Sequence, residues 1–216
     1  MLSWLLVDND LELLSRWQAG DQHAGNALFQ RHFESVCRFF KNKIAGDIDE
    51  LVQTTFLACV RSREAFRKQS SFRSYLFAIA RNELYGHLRK LQRDRKKLDF
   101  HVTSLQDLGT TPTSRIARDQ TKAMLVRALH TLPVELQLML ELFYWEEMSA
   151  AELGEVFEIP EVTARTRLFR ARQTLRARME EMAENPSPIH ASVENLDAWA
   201  RSLRKRAPDA GGEESR

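Results

Sequence analysis

Helical periodicity is the feature of this sequence that most limits its fold. Apolar residues recur at the three- and four-residue spacing of an amphipathic helix in most of the chain, and no stretch shows sustained strand alternation between hairpin turns. This pattern predicts an all-α fold. We expect helices at about 9–19, 22–43, 48–64, 71–93, 115–130, 133–145, 149–157 and 160–183.

One segment interrupts the helical pattern. Residues 97–116 gather Gly, Pro, Ser and Thr, a composition typical of a flexible linker. We therefore expect two helical domains, at 1–96 and 117–183, followed by a polar tail at 184–216. In the tail, Ser192 and the apolar residues Val193, Leu196 and Trp199 have the spacing of a short capped amphipathic helix.

Charge is distributed unevenly along the chain, although the net charge of its 216 residues is only +2. Basic residues concentrate between Arg61 and Lys97 and again between Arg165 and Arg178, whereas the segment from Glu135 to Glu158 is acidic. Clustered arginine and lysine are the electrostatic signature of a nucleic-acid surface. The whole-chain charge therefore conceals two basic patches.

No pattern in the sequence predicts a catalytic or metal site. Cys37 and Cys59 lie far apart within apolar helical patterns, as buried cysteines of a reducing compartment do. The six histidines are scattered, and neither a Gly-rich phosphate loop nor a nucleophile motif occurs. The start "MLSWLLVDND" is too short to span a bilayer and lacks the basic region of a signal peptide. We expect a cytoplasmic protein, not inserted in a membrane, without enzymatic activity or cofactor.

The third predicted helix has both a cap and a core face. Asp47 or Asp49 can accept hydrogen bonds from the exposed amides of its first turn. The apolar residues that follow predict one buried stripe, made of Leu51, Val52, Phe56, Leu57 and Val60.

The fourth predicted helix, Ser71–Lys90, has two unlike faces. Its first face is a core stripe of Phe72, Leu76, Ile79 and Ala80, and Ser70 or Ser71 caps the helix. The other face mixes guanidinium, amide and aromatic groups, which is unusual for a solvated surface. It carries Ser74, Ala78, Arg81, Asn82, Tyr85 and Arg89.

The strongest local pattern follows Ser149. Ser149 and Glu152 have the spacing of a capping box, a turn follows at Glu158, and Pro160 opens another helix. This order predicts a helix-turn-helix, whose second helix enters the major groove of DNA. Ala164, Leu168, Ala171, Leu175 and Met179 face the core, whereas the opposite face carries Val162, Arg165, Thr166, Phe169, Arg170, Gln173 and Arg176.

Position along that second helix separates two kinds of DNA contact. The N-terminal residues Arg165, Thr166 and Phe169 are candidates for base contacts, because the start of a recognition helix meets base edges. Arg170, Arg172 and Arg176 lie farther along, where cations meet phosphates.

The two domains together resemble the extracytoplasmic-function sigma factors, small two-domain bacterial transcription initiation factors. "DELVQTTFLACV" is similar to the family's "DLVQETFLRAW", and "SFRSYLFAIARNELYGHLRK" to its "SFRAWLFRIARNLALDHLRR". The segment "LPVELQLMLELFYWEEMSAAELGEVFEIPEVTARTRLFRARQTLR" follows the pattern of the family's second domain. The resemblance covers about residues 20–180.

The resemblance implies a promoter-recognition subunit of RNA polymerase. It implies that the second domain reads the minus-thirty-five element and that the first domain holds the minus-ten element open. Aromatic, guanidinium and amide groups suit that task, because unstacked bases need new stacking and hydrogen-bonding partners. The implied polymerase-docking residues are Asp49, Glu50, Val52 and Gln53, and the implied minus-ten residues are Arg67, Lys68, Gln69, Arg81, Asn82, Tyr85 and Arg89.

The sequence departs from the family pattern at two turns and one base-reading position. Glu147 and Glu158 stand where the family often has Gly, so these turns either adopt a different backbone or bear strain. Phe169 replaces a usual His, so the family's promoter preferences do not transfer. Among the tyrosines, Tyr75 fits packing better than DNA contact, and Tyr85 fits either.

A stand-alone helix-turn-helix regulator is the alternative interpretation, with an N-terminal domain that senses a ligand or forms a dimer. Such a regulator would bind duplex DNA without polymerase, whereas a small sigma factor binds promoters well only with the core enzyme. The sequence leaves open the promoter, the inducing signal, an anti-sigma partner and the role of the tail.

Overall fold

The chain folds into two helical domains in the computed structural model, which describes residues 3–41, 43–44, 46–66, 70–92, 98–109 and 120–182. The first domain contains four α-helices and the second another four, and no strand occurs within these ranges. The helices are α1 (Ser3–Gln18), α2 (Gln22–Lys41), α3 (Asp49–Arg61), α4 (Phe72–Leu91), α5 (Gln120–His130), α6 (Val134–Tyr144), α7 (Ala150–Phe157) and α8 (Glu161–Glu181). The all-α prediction is confirmed.

Two helix starts have the side-chain caps that the sequence predicts, at Ser71 and Ser149. The N-cap residue of α3 is instead Ile48, and Asp47, which accepts a hydrogen bond, precedes it. The Asp47 carboxylate accepts a hydrogen bond from the Asp49 amide at 2.8 Å, at the start of α3. At the start of α4, the Ser71 hydroxyl accepts one from the Ser74 amide at 3.0 Å. Ser149 and Glu152 form a complete capping box at α7. Each cap satisfies backbone donors that a helix start otherwise leaves without partners.

Helix α1 begins at Ser3, about six residues earlier than the sequence pattern predicts. Asp10 consequently lies in the interior of the helix, where it is buried. Its carboxylate forms an ion pair with Arg31 and lies 2.7 Å from the His32 Nε2 atom, both on α2. Partners from a neighbouring helix therefore hold an acidic residue that the periodicity of α1 alone does not explain.

The stripe predicted for α3 is wrong at its C-terminal half. Leu51 and Val52 are buried as predicted, but Leu57 and Val60 are exposed. The residues that α3 buries are Leu51, Val52, Thr55 and Cys59. Thr55 can be buried because its hydroxyl donates to the Leu51 carbonyl at 2.7 Å, which lets a polar residue replace an apolar one in the stripe.

The interdomain segment 98–109 packs against the second domain. Phe100 and Leu105 are buried. The backbone of this segment joins the second domain through three hydrogen bonds: Glu135 N to Phe100 O at 3.2 Å, Val134 N to Thr103 O at 2.9 Å, and Gln106 N to His130 O at 3.0 Å. The first part of the predicted linker thus has fixed contacts with the elements α5 and α6.

Glutamate adopts the left-handed conformation at both turns where the family often has Gly. Glu147 has φ of 53° and Glu158 has φ of 57°. A residue with a Cβ atom pays roughly 1–2 kcal/mol in this region, so these turns keep a glycine-like backbone and bear the strain. In the second turn the Ile159 amide returns to the Gly154 carbonyl at 2.9 Å. A Cβ atom at Gly154 would lie 2.8 Å from the Ile159 carbonyl oxygen, so glycine is needed there for close approach.

Candidate nucleic-acid and polymerase interfaces

The outward face of α8 is exposed along its whole length. A buried stripe of Ala164, Leu168, Ala171, Leu175 and Met179 holds the other side of the helix against the second domain, as predicted. All seven residues predicted on the DNA-facing side are exposed. Two of them are large apolar side chains, Val162 at 73% exposure and Phe169 at 59%. We refer to Val162, Arg165, Thr166, Phe169, Arg170, Gln173 and Arg176 as the recognition face.

Two arginines of α8 position the helix instead of extending the recognition face. The Arg172 guanidinium lies over the Phe143 ring, 4.6 Å from its centroid, and its Nε donates to the Tyr144 hydroxyl at 2.9 Å. In this conformation α6 therefore occupies the side chain of Arg172, for which the sequence predicts a phosphate contact. Arg167 forms an ion pair with the buried carboxylate of Glu135, which also lies 2.7 Å from His101 Nδ1. Arg167 and Arg172 thus contact other residues of the second domain, whereas the arginines of the recognition face are exposed.

The predicted minus-ten face of α4 is partly covered. Asn82 and Arg89 are exposed, but Arg81 is only 9% exposed. Arg81 donates to the Val156 carbonyl and, at 2.7 Å, to the Glu158 carboxylate, so α7 and its following turn lie against it. We refer to Arg81, Asn82, Tyr85 and Arg89 as the α4 face. The second domain therefore occupies part of the surface to which the sequence assigns DNA.

Tyr85 stacks on a residue of the interdomain segment. Its ring and that of Phe100 have centroids 4.1 Å apart and planes inclined by 15°. The Arg89 guanidinium lies 5.2 Å from the Phe100 centroid. Burial, with a smaller contribution from Glu135, raises the pKa of the Tyr85 phenol. The sequence analysis did not identify Phe100. The one indication was the presence of a large aromatic residue at the start of a polar linker.

Among the described residues, four ion pairs also join the two domains. The acidic segment of the second domain, evident in the sequence, supplies the carboxylates, and the first domain supplies the cations. Lys43 is fully buried against Glu141, and burial lowers the pKa of its amine although Glu141 opposes the change. The pairs are Arg38–Glu146, Lys43–Glu141, Arg73–Glu152 and Arg81–Glu158.

The predicted polymerase-docking residues lie at the first turns of α3. Asp49, Glu50 and Gln53 are exposed there. Val52 is 4% exposed and belongs to the core, so it cannot make the predicted contact in this conformation. Leu57 and Val60 lie one and two turns after Gln53 on the same helix, and their apolar side chains are exposed. Their exposure marks a mixed charged and apolar surface that sequence periodicity assigned to the core.

Some of the predicted residues are not part of the described structure. Arg67, Lys68 and Gln69 fall outside the described residues, as does the tail 184–216 with its predicted helix.

Tyr75 packs as predicted, with its ring centroid 4.9 Å from that of Phe66. Both cysteines are free thiols, and burial raises the pKa of Cys59 to about 12.

The hydropathy of the helices bears on membrane insertion. Across the described residues, none of the helices combines the length and the apolar character required of a membrane span.

Comparison with known families and proteins identifies both domains. Residues 28–94 match the model of sigma-70 region 2, and residues 122–175 match that of sigma-70 region 4. The ECF RNA polymerase sigma-E factor of Haemophilus influenzae is 28% identical over 182 residues, which cover 80% of this chain and 96% of that protein. The sigma-E factor of Escherichia coli is 26% identical over 175 residues, covering 77% and 92% of the two chains.

Two solved structures share the fold. CnrH, solved in complex with the cytosolic domain of CnrY, is 22% identical and superposes with a TM-score of 0.61, covering 81% of this chain and 99% of that chain. The sigma factor RpoE of Bartonella quintana, solved with the anti-sigma factor NepR, is 19% identical with a TM-score of 0.54, covering 73% and 98%. At these identities the likeness concerns the fold.

Proposed function

We propose that this chain, which belongs to the extracytoplasmic-function group of RNA polymerase sigma factors, directs core polymerase to specific promoters and assists strand opening there. Polymerase carries out RNA synthesis. The chain itself is a DNA-binding specificity subunit without catalysis of its own, and it acts in the cytoplasm, where the bacterial polymerase works.

The exposed recognition face on α8 is the observation that carries this proposal. A capping box and a tight turn fix the start of α8, and a buried stripe fixes its rotation, so the outward side chains are presented on a rigid support. Arg165 and Thr166 lie in the first turns, where a recognition helix meets base edges in the major groove. Arg170 and Arg176 lie farther along, where they neutralise phosphates of the minus-thirty-five element.

The α4 face supplies the second DNA contact, at the minus-ten element. Tyr85 offers a ring on which an unpaired base stacks, and Asn82 offers an amide that can pair with a base edge. Arg89 and Arg81 add positive charge beside them. Two of these groups, Asn82 and Arg89, are exposed in this conformation, and the others become available when α7 and Phe100 move away.

The start of α3 is the surface through which the chain binds core polymerase. Asp49, Glu50 and Gln53 give it charged and amide groups, and the neighbouring Leu57 and Val60 give it exposed apolar area. Polar rims around apolar side chains are usual in specific protein interfaces. We also propose an anti-sigma protein as a partner, since RpoE of Bartonella quintana was solved with one.

Run-off transcription tests this function. Purified core polymerase and fragmented genomic DNA of the source organism should give discrete transcripts only when the chain is added. A variant with Asp49→Lys, Glu50→Lys and Gln53→Ala should lose both transcripts and core binding in a pull-down. Glu180→Lys, an exposed charge reversal near the end of α8, is the matched control and should keep both.

The same experiment distinguishes a sigma factor from a stand-alone helix-turn-helix regulator. Initiation no greater than that of core polymerase alone would contradict the proposed function. Specific duplex binding by the chain without polymerase, together with no transcripts, would instead favour a stand-alone regulator.

A further inference from the structure

We propose that Phe100 occupies, within the chain itself, the site at which Tyr85 stacks an unpaired base of promoter DNA. The inference rests on the proposed function, because it requires α4 to be a single-strand-binding surface. Phe100 is then an intramolecular competitor of the base, and the interdomain segment keeps the site closed until DNA or polymerase displaces it.

The geometry of the aromatic pair is that of a base on a protein ring. Aromatic side chains most often meet edge to face or offset, with centroids about 4.5–7 Å apart. Tyr85 and Phe100 are closer, at 4.1 Å, and nearly parallel, at 15°. Single-strand-binding proteins stack bases on aromatic faces in this parallel manner and add guanidinium groups beside them. Arg89 lies over Phe100 and Arg81 lies 5.8 Å from the Tyr85 centroid, so both cations already flank the stack.

The Tyr85 hydroxyl indicates that Phe100 is an incomplete occupant. This oxygen is buried and has no hydrogen-bond partner among the described residues. A buried polar group without a partner destabilises the state that contains it. Phenylalanine has no polar atom to offer, whereas a nucleotide carries base, sugar and phosphate groups that can pair with a phenol. Exchange of Phe100 for a nucleotide therefore keeps the stacking and offers the hydroxyl a partner.

The position of Phe100 is tied to the second domain. The Glu135 amide donates to the Phe100 carbonyl, and two further backbone hydrogen bonds attach the same segment to α5 and α6. The second domain also covers Arg81 through the Val156 carbonyl and Glu158. A single separation of the domains consequently uncovers Tyr85 and Arg81 together.

Ion pairs make this separation reversible. Charged groups regain hydration when they leave a buried interface, so a contact built from ion pairs is weaker than an apolar contact of the same area. We therefore expect the closed and open states to lie close in free energy. The apparent affinity for single-stranded DNA then equals the affinity of the open state multiplied by the fraction of molecules that are open.

Fluorescence anisotropy of the full chain with a labelled, A/T-rich single-stranded oligodeoxynucleotide tests the inference. Phe100→Ala should raise the affinity roughly threefold to tenfold, the range that loss of one aromatic pair allows. Phe100→Leu, which keeps an apolar side chain in the same place, should also raise it, since it removes the stack and preserves the fold. Val102→Ala is the matched control in the same segment, because Val102 is 71% exposed, and it should leave the affinity unchanged.

A double-mutant cycle locates the gain. Tyr85→Ala should weaken binding, and Phe100→Ala added to Tyr85→Ala should bring no increase. Unchanged affinity in both Phe100 variants, with weaker binding by Tyr85→Ala, would overturn the self-occupancy and leave the proposed function standing. A gain that persists without Tyr85 would also overturn it. Unchanged binding by Tyr85→Ala would remove the base site altogether, and run-off transcription would then decide the proposed function separately.

Discussion

The recognition face on α8 and the face of α4 have opposite accessibility. The recognition face is exposed throughout, with Phe169 and Val162 open to solvent, whereas Arg81 and Tyr85 are covered by α7 and Phe100. Duplex DNA presents its base edges without rearrangement, so its reader can be complete in the free protein. Unpaired bases exist only after strands separate, and a surface for them can remain closed until then. The difference separates a preformed contact from a conditional one.

The largest effect is expected at the buried ion pair between the domains. Lys43→Met leaves Glu141 without its cation in a buried site, which should weaken the contact between domains by up to about 3–5 kcal/mol. Lys43→Met with Glu141→Leu should recover most of this loss, since an apolar pair needs no compensating charge. Small-angle X-ray scattering should show an expanded single variant and a compact double variant. A compact single variant would mean that this pair does not hold the α4 face closed.

Glycine substitutions test the rigid support of the recognition face. Gly154→Ala places a Cβ atom 2.8 Å from the Ile159 carbonyl and should destabilise the second domain by about 1–3 kcal/mol. Gly86→Ala on α4 meets no atom within 4 Å and should stabilise its helix by about 0.5–1 kcal/mol. Thermal unfolding measures both. Equal effects from the two substitutions would contradict the close packing of the turn before α8.

Glycine at the two strained turns separates backbone strain from domain contact. Glu147→Gly should stabilise the chain by up to about 1–2 kcal/mol, because it relieves a left-handed glutamate. Glu158→Gly relieves the same strain but also removes the partner of Arg81, which should cancel about 0–1 kcal/mol of the gain. Hydrogen exchange at the end of α7 should increase only in the second variant. Identical exchange in both variants would show that Arg81 does not depend on Glu158.

Acid should weaken the interface slightly through Glu152. Burial raises the pKa of its carboxyl, but hydrogen bonds from Ser149 and the charge of Arg73 outweigh burial, so the pKa lies below its usual value. A carboxyl with a depressed pKa stabilises the fold above the unfolded pKa, about 4.3, and loses that contribution as the pH falls through the folded pKa. Glu152→Gln should flatten the pH dependence of unfolding in this range. An unchanged profile would assign the acid sensitivity to other carboxylates.

Local patterns in the sequence predicted local structure well. The caps at Ser71 and Ser149 and the exposed side of α8 depend on neighbouring residues along one helix, so the sequence contains the necessary information. The helix-turn-helix was predictable for the same reason, whereas the sequence left the backbone at Glu147 and Glu158 open and the structure shows it to be left-handed. The burial of Asp10 in α1 was not predictable in this way, because its partners Arg31 and His32 belong to another helix.

Helical periodicity could not predict which helix faces other parts of the protein cover. An arginine such as Arg81 or Arg172 has the same sequence signal whether it meets phosphate, a backbone carbonyl or an aromatic ring. Likewise, Leu57 and Val60 have a core-like spacing, and only tertiary packing shows that nothing in the described structure buries them. The domain boundaries and the roles of the individual site residues remain predictions.

Permanganate footprinting of open complexes tests the division between the two faces most directly. With core polymerase on duplex promoter, both Arg165→Ala and Tyr85→Ala should reduce strand opening, and the arginine variant should lose about 1–3 kcal/mol of upstream binding. On a promoter melted in advance at the minus-ten element, Tyr85→Ala should recover transcription and Arg165→Ala should not. Rescue of Arg165→Ala without rescue of Tyr85→Ala would contradict the assignment of duplex reading to α8 and strand opening to α4.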